Sequence, residues 1–334
     1  MSDLITFRPE PEQYSYTFGG REPVARIRPG DLLQVYTEDC YGGAVRSIDD
    51  LPSEVCVFPF LNPVTGPFYL EGAEPGDTIA LHLVSLTPAR DYAFSSTFPH
   101  FGALTSTHTT ATLQPPLEER VWRYDIDTAA GIVRWHARRS DHQIDLPLDP
   151  MHGTIGVAPA AFEARSTLTP DAHGGNMDTP EMRAGTTVYF GVNVPGALFS
   201  LGDGHARQGE GEVCGVAVET AMNTVLAVDL IKGVSTPWPR LETDTHLLSV
   251  GCARPLEDAY RISQHDLVTW AADLTGLELL DAYQLISQAA QAPIGNVCDP
   301  NYAVLAKIDK RWLPQLSAYQ GVHDRLRMSG ARHS

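Results

Sequence analysis

Apolar and polar positions alternate in short runs through the first three quarters of the chain. Leu32–Asp39 (LLQVYTED) puts Leu33, Val35 and Thr37 on one side and Leu32, Gln34 and Tyr36 on the other, the period of a β-strand. Asn62–Leu86 reads as strand, turn and strand about Pro75-Gly76-Asp77. Thr186–Val194 aligns Val188, Phe190, Val192 and Val194, Val213–Val218 reads as a buried strand ending at Glu219, and Thr224–Ile231 is another. Trp122, Tyr124 and Trp135 fall in strands about Gly131, while Pro9, Pro11, Pro23 and Pro29 keep residues 1–30 irregular. Short strands divided by Pro and Gly turns predict a sandwich- or barrel-like β core.

Near Leu256 the period changes from two to that of a helix. Ser263 with Asp266 marks a helix start, and Thr275-x-x-Glu278 has capping-box spacing before LELLDAYQLISQAAQ. Leu279, Tyr283, Ile286 and Ala290 share one face, predicted to point to the core. Pro293 and Gly295 end this helix, and Arg325–Ser334 reads as a frayed tail. The fold class is therefore mainly β or α+β: one unit over 1–334, with a β-rich part (1–255) carrying the site and a helical segment (256–315) packed on it.

Composition narrows the function. The 334 residues carry 41 acidic against 24 basic side chains, a formal net charge of −17. Such a surface repels phosphate backbones and anionic membranes, which leaves a small molecule as the expected partner. No apolar run approaches the roughly 20 residues of a membrane helix, and the N-terminus lacks a basic start before an apolar stretch. Five scattered cysteines without a CxxC pair suggest neither a disulfide framework nor a thiolate zinc site. A cytoplasmic location is expected.

Chemistry concentrates in Pro195–Glu219, which reads as a polar, glycine-rich loop containing Asp203, His205, Gln208, Glu210 and Glu212. In extended backbone Asp203 and His205 project to one side, although Asp-Gly also makes ordinary hairpin turns. Asn176 and Asp178 repeat the spacing of two. Asp39, at a strand end beside Gly42-Gly43, either reaches a cleft or caps a turn. Met151–Ala160 packs small residues around His152, as a tight turn under a site would. His100 and Thr107–Thr110 are surface decoration or pocket wall.

Five stretches together resemble the acetamidase/formamidase family: Asn62–Asp77, Met151–Pro159, Gly174–Asp178, Leu198–Glu219 and Asp273–Ser287. They occur in the family's order and cover about residues 5–310. The resemblance implies hydrolysis of short linear amides to ammonia and a carboxylate by a β-rich α+β protein, usually oligomeric, with a divalent metal. The chain departs from the family at Gly209-Glu210-Gly211-Glu212, where Gly-Asp-Gly-Glu is more usual, and at His152, which could tune the acyl pocket. Carbamates or cyclic amides are alternative substrates. A non-catalytic calcium- or carbohydrate-binding sandwich is the alternative of another class, one with little need of His205.

Cleaving an unactivated amide needs a nucleophile stronger than neutral water. No Gly-x-Ser-x-Gly elbow surrounds Ser200, and Cys214 is the candidate thiol. A metal site suits the residues better. Asp39, Asp203, His205 and Glu219 are the expected ligands, Glu212 the general base, and Gln208 and Asn176 the donors to the developing oxyanion. Asp178 would orient His205. The imidazole favours zinc, whereas the carboxylates also suit calcium or manganese. A homodimer or higher homo-oligomer is expected.

Overall fold

The computed structural model describes residues 4–105, 115–313 and 318–331; the expected polar run Thr107–Thr110 lies outside them. Among the described residues two large sheets form. The nine-stranded sheet runs in the order Leu4–Phe7, Leu32–Thr37, Met222–Ile231, Thr78–Pro88, Thr187–Gly191, Arg240–Glu242, His246–Ala253, Tyr302–Asp309 and Ile294–Asn296. The eleven-stranded sheet has Phe199–Arg207 inside it, flanked by Met151–Gly156, Val218–Glu219 and Val64–Leu70.

Alternation along the nine-stranded sheet explains the layering. Leu33, Leu81, Val188, Leu226 and Leu248 face one way, into a core shared with Phe68, Ile155, Phe199 and Leu201 of the second sheet. Their neighbours Leu32, Ala80, Tyr189, Ala227 and Leu247 face the other way, against helix residues Leu267, Trp270, Ile286 and Leu326. Burying both faces requires strands with few polar positions, as these have. The outcome is a sandwich with a third, helical layer.

Several local expectations need correction. The supposed loop Pro195–Glu219 contains a nine-residue strand, Phe199–Arg207. Only Val218–Glu219 of the expected strand over 213–218 pairs, and Val213 is exposed. Met151–Gly156 is a strand, and its His152 is a bridge between sheets. Nδ1 donates to Gly202 O (2.8 Å) and Nε2 accepts from Thr224 Oγ1 (2.7 Å). His152 is fully buried and does not line an acyl pocket.

The C-terminal third returns to the sheet at Ile294–Asn296 and Tyr302–Asp309. The long helix starts at Leu256, not Ser263. Glu278 is itself the N-cap of the next helix, accepting from Leu280 N at 2.9 Å, while Thr275 closes the helix before. In Leu279–Ala289 the buried residues are Ala282 and Ile286; Leu279 and Tyr283 are 51% and 60% exposed. The buried stripe is thus rotated from the expected one. Val322–Gly330 is a helix with Leu326 buried, not a frayed tail.

Ser263 and Asp266 lie in mid-helix. Asp266 receives both Nε and Nη2 of Arg240 at 2.8 Å and Ser249 Oγ at 2.6 Å, all buried. This clamp fixes the long helix to the sheet. Asp266→Ala leaves a buried guanidinium unpaired, and a loss of roughly 3–5 kcal/mol is expected. The pair Arg240→Met with Asp266→Leu should recover most of it. Urea unfolding midpoints test this, and equal losses in both variants would refute the clamp.

Candidate active site

Strand pairing brings the chemical groups together. Phe199–Arg207 pairs with Met151–Gly156 on one side and with Val218–Glu219 on the other, setting His205 opposite both Met151 and Glu219. His205 Nε2 lies 3.3 Å from Asp203 Oδ1, 3.3 Å from Glu219 Oε1 and 4.0 Å from Asp178 Oδ1. Glu212 and Asp299 close the cluster beside Cys298, whose thiol lies 3.5 Å from Glu212 Oε2. Asp178, Asp203, His205, Glu212, Glu219 and Asp299 are all buried.

The backbone is bent to achieve this. Asp178, Asp203 and Glu212 have φ of 45°, 58° and 44°. Left-handed backbone is unfavourable for such residues and collects at functional sites. Gly153 leaves the space the cluster occupies. A Cβ there would stand 2.3 Å from Asp178 Oδ1 and 2.5 Å from Asp203 Oδ2.

Hydrogen bonds orient the groups. Gln208 Nε2 donates to the carbonyls of Asp178 and Gly295, so its Oε1 must accept from His205 Nδ1 (3.0 Å). That fixes Nδ1 as a donor and turns Nε2 to the carboxylates. Gln208 therefore does the orienting expected of Asp178, and its amide is engaged away from any oxyanion. Asp178 instead stands in the cluster itself. Asn62 Nδ2 donates to Asp203 Oδ2 (2.8 Å) and Asn176 Oδ1 (2.9 Å), while Asn176 Nδ2 donates to Asp299 Oδ2 (2.9 Å). Asn176 lines the cavity with one amide hydrogen committed to Asp299.

Asp39 is placed elsewhere. Its Oδ2 takes Arg90 Nη1 at 2.7 Å, and its Oδ1 takes the N–H groups of Tyr41 (3.1 Å) and Gly43 (2.9 Å). It caps a turn and pairs with an arginine, the second of the two roles open to it. The adjacent Cys40 points its thiol toward Asp203 and Glu219 instead. Cys214 is held to Val216 O and lies outside these clusters. Sequence reasoning missed Cys40, Asn62, Cys298 and Asp299. The Cys298-Asp299-Pro300 turn was the available signal for the last two.

Electrostatics follow from burial. Burial opposes a charge on His205, yet Glu219 and Asp203 outweigh it and hold the imidazolium pKa well above the usual histidine range. Burial pushes Glu219 up to about 7, and drives Asp178 and Glu212 well above ordinary carboxylates, with neighbouring acids adding to both. Both oxygens of Asp178 and Oε2 of Glu219 are buried without a hydrogen-bond partner, and Oδ1 of Asp203 has only the 3.3 Å approach of His205 Nε2. Unpartnered buried oxygens are costly. Asp178, His205 and Glu212 form one donor set and Cys40, Asp203 and Glu219 another, with the donor atoms of each within 4.8 Å of one another. Carboxylates with one imidazole and a thiol suit a divalent cation.

Asp203, Glu212, Glu219 and Asp299 of the cluster line a cavity of about 460 Å³, whereas Asp178 and His205 are not among its lining residues. A buried floor of this kind differs from the exposed acidic loop tip that a calcium- or carbohydrate-binding sandwich would use.

The acetamidase/formamidase family profile matches residues 21–162 and 148–240. A formamidase of Methylophilus methylotrophus is 27% identical over 256 residues, which are 63% of this chain and 61% of that protein. The chain spans less than two thirds of the length of the curated relatives it matches. A crystal structure of an acetamidase from Yersinia enterocolitica is 42% identical, covers 93% of both chains and superposes with a TM-score of 0.88. An acetamidase structure from Bacillus halodurans is 28% identical, with 94% and 100% coverage and a TM-score of 0.82.

The cluster predicts a pH signature. Groups whose folded pKa is raised contribute stability below their unfolded pKa and lose it as pH rises through the folded value. His205 and Glu219 are of this kind. Glu219, raised to about 7, loses most of its share below pH 7, so the loss above 6.5 belongs mainly to His205, whose pKa Glu219 helps to raise. The buried histidines His82, His152 and His173, depressed by burial to about 4, are neutral in both states above about pH 6.5. Chelator-treated protein should therefore lose roughly 2–4 °C of Tm for each kcal/mol lost as pH rises from 6.5 to 9. Glu219→Gln should flatten this slope in calorimetry; an unchanged slope would refute the assignment.

Proposed function

The chain belongs to the acetamidase/formamidase family, and from that we propose that it is a hydrolase of linear amides, releasing ammonia and a carboxylate, and that it depends on a divalent metal. The observation that carries this reading is the set of buried carboxylate oxygens around His205, short of hydrogen-bond donors, beside a cavity that Asp203 and Glu219 line. Asp178, Asp203, His205 and Glu219 would hold the ion, with Cys40 within reach of the same space. Zinc fits a donor set that includes imidazole and thiol; its oxygen-rich remainder also suits manganese or calcium. A divalent cation in such a site acts as a Lewis acid and lowers the pKa of water.

The chain's own groups supply the rest. Glu212 borders the cavity, with one carboxyl oxygen fixed by the Cys298 thiol. Its pKa, raised by burial and then by Asp178, suits a group that takes a proton from attacking water and returns it to the departing nitrogen. Gln208 keeps His205 Nδ1 protonated and Nε2 aimed inward. Asn62 and Thr154 hold Asp203 Oδ2 in place. The uncommitted amide hydrogen of Asn176 suits the carbonyl oxygen as negative charge develops.

Ammonia release from acetamide and formamide tests this reading. Glu212→Gln should lower kcat by about 10²–10⁴-fold. Chelation should abolish activity, and zinc should restore it. Full activity in thoroughly stripped protein would overturn the metal requirement, and a fully active Glu212→Gln would remove that base.

A further inference from the structure

The cavity is two-toned, and its upper part has no role in the chemistry above. Above the acidic floor its walls are Tyr41, Phe58, Leu61, Phe98, Phe101 and Leu168. Its volume of about 460 Å³ falls in the range of roughly 300–1,000 Å³ typical of sites for drug-sized ligands. Acetamide has four non-hydrogen atoms; at about 30 Å³ for each water-sized group it would fill roughly a quarter of the space.

Three of these wall residues, Tyr41, Phe98 and Phe101, are held in place. Phe98 and Phe101 pack edge to face with centroids 6.3 Å apart. A Cβ on Gly215, whose φ is +91°, would stand 2.6 Å from the Phe101 ring, so the two loops meet in direct contact. Ala103 N donates to Val213 O (2.9 Å), fastening the same pair of loops. The Tyr41 hydroxyl is hydrogen-bonded to Ser96 Oγ at 2.8 Å, which leaves its ring as wall. A preformed apolar surface of this extent is matched by an apolar ligand group.

Charge narrows the ligand further. Arg254 is the only arginine or lysine among the described lining residues. Its Nε donates to Asp299 O at 3.0 Å, its Nη2 donates to Cys298 O at 3.2 Å, and its guanidinium stacks 4.2 Å above the Tyr302 ring. It thus holds the loop that bears Asp299, while the floor is acidic. The aromatic and aliphatic wall itself offers a ligand carboxylate no arginine or lysine.

We propose that the preferred substrates are neutral amides with a bulky apolar acyl group of aromatic size, not acetamide or formamide. This inference rests on the amide-hydrolase reading of the site. One missing methylene in an apolar pocket is worth roughly 10–200-fold in kcat/KM, so an unfilled aromatic pocket costs at least as much.

The test is kcat/KM for ammonia release by the metal-replete protein from acetamide, phenylacetamide, hexanamide and hexanamide's ω-carboxylate analogue. Phenylacetamide should exceed acetamide by about tenfold or more, and hexanamide should exceed its carboxylate analogue. Leu168→Trp, which fills the cavity, should lower the phenylacetamide-to-acetamide ratio; the wild-type series decides even if that variant fails to fold. Acetamide turned over as well as phenylacetamide would overturn the inference and leave amide hydrolysis standing. A better carboxylate analogue would overturn the requirement for neutrality. No ammonia from any of the four would overturn the hydrolase reading, and the inference with it.

Discussion

Five carboxyl groups held out of water around one imidazole are the constraint on which the site depends. Each buried carboxylate must take a proton, face a cation or accept hydrogen bonds, because desolvating a bare charge is too costly. The site uses all three. Asp203 faces His205 and takes Asn62 and Thr154. Asp178, Glu212 and Asp299 are pushed toward their neutral forms by burial. The oxygens left over are the ones proposed to face a metal ion.

The layers supply the rigidity this arrangement needs. The nine-stranded sheet is covered on both faces, by the second sheet and by the helices. His152, on the strand paired with the one that carries Asp203 and His205, joins the sheets through Gly202 and Thr224. Glu219 is hydrogen-bonded to Ala217 N as well as facing His205. Few side chains at the centre have a second place to go.

What could be read from the sequence was local. The spacing of Asp203 and His205 was visible because strand periodicity is written into neighbouring residues, and the alternation of Leu32–Thr37 and Thr78–Pro88 gave those strands. Asp39 was misplaced because its partner, Arg90, lies 51 residues away. Gln208, not Asp178, orients His205, because only folding shows which oxygen of a side chain meets which nitrogen. Asp299 left only its turn as a signal, because its contact with Asn176 spans 123 residues. The helix over 279–289 shows the same limit: periodicity finds an apolar stripe, while packing decides which part of it is covered.

The left-handed backbone at Asp178, Asp203 and Glu212 has a consequence for how this chain can change. Glycine would relax each of these positions and remove a source of buried charge repulsion, yet it would also delete the carboxylate. Sturdiness and chemistry are therefore opposed at the same three residues.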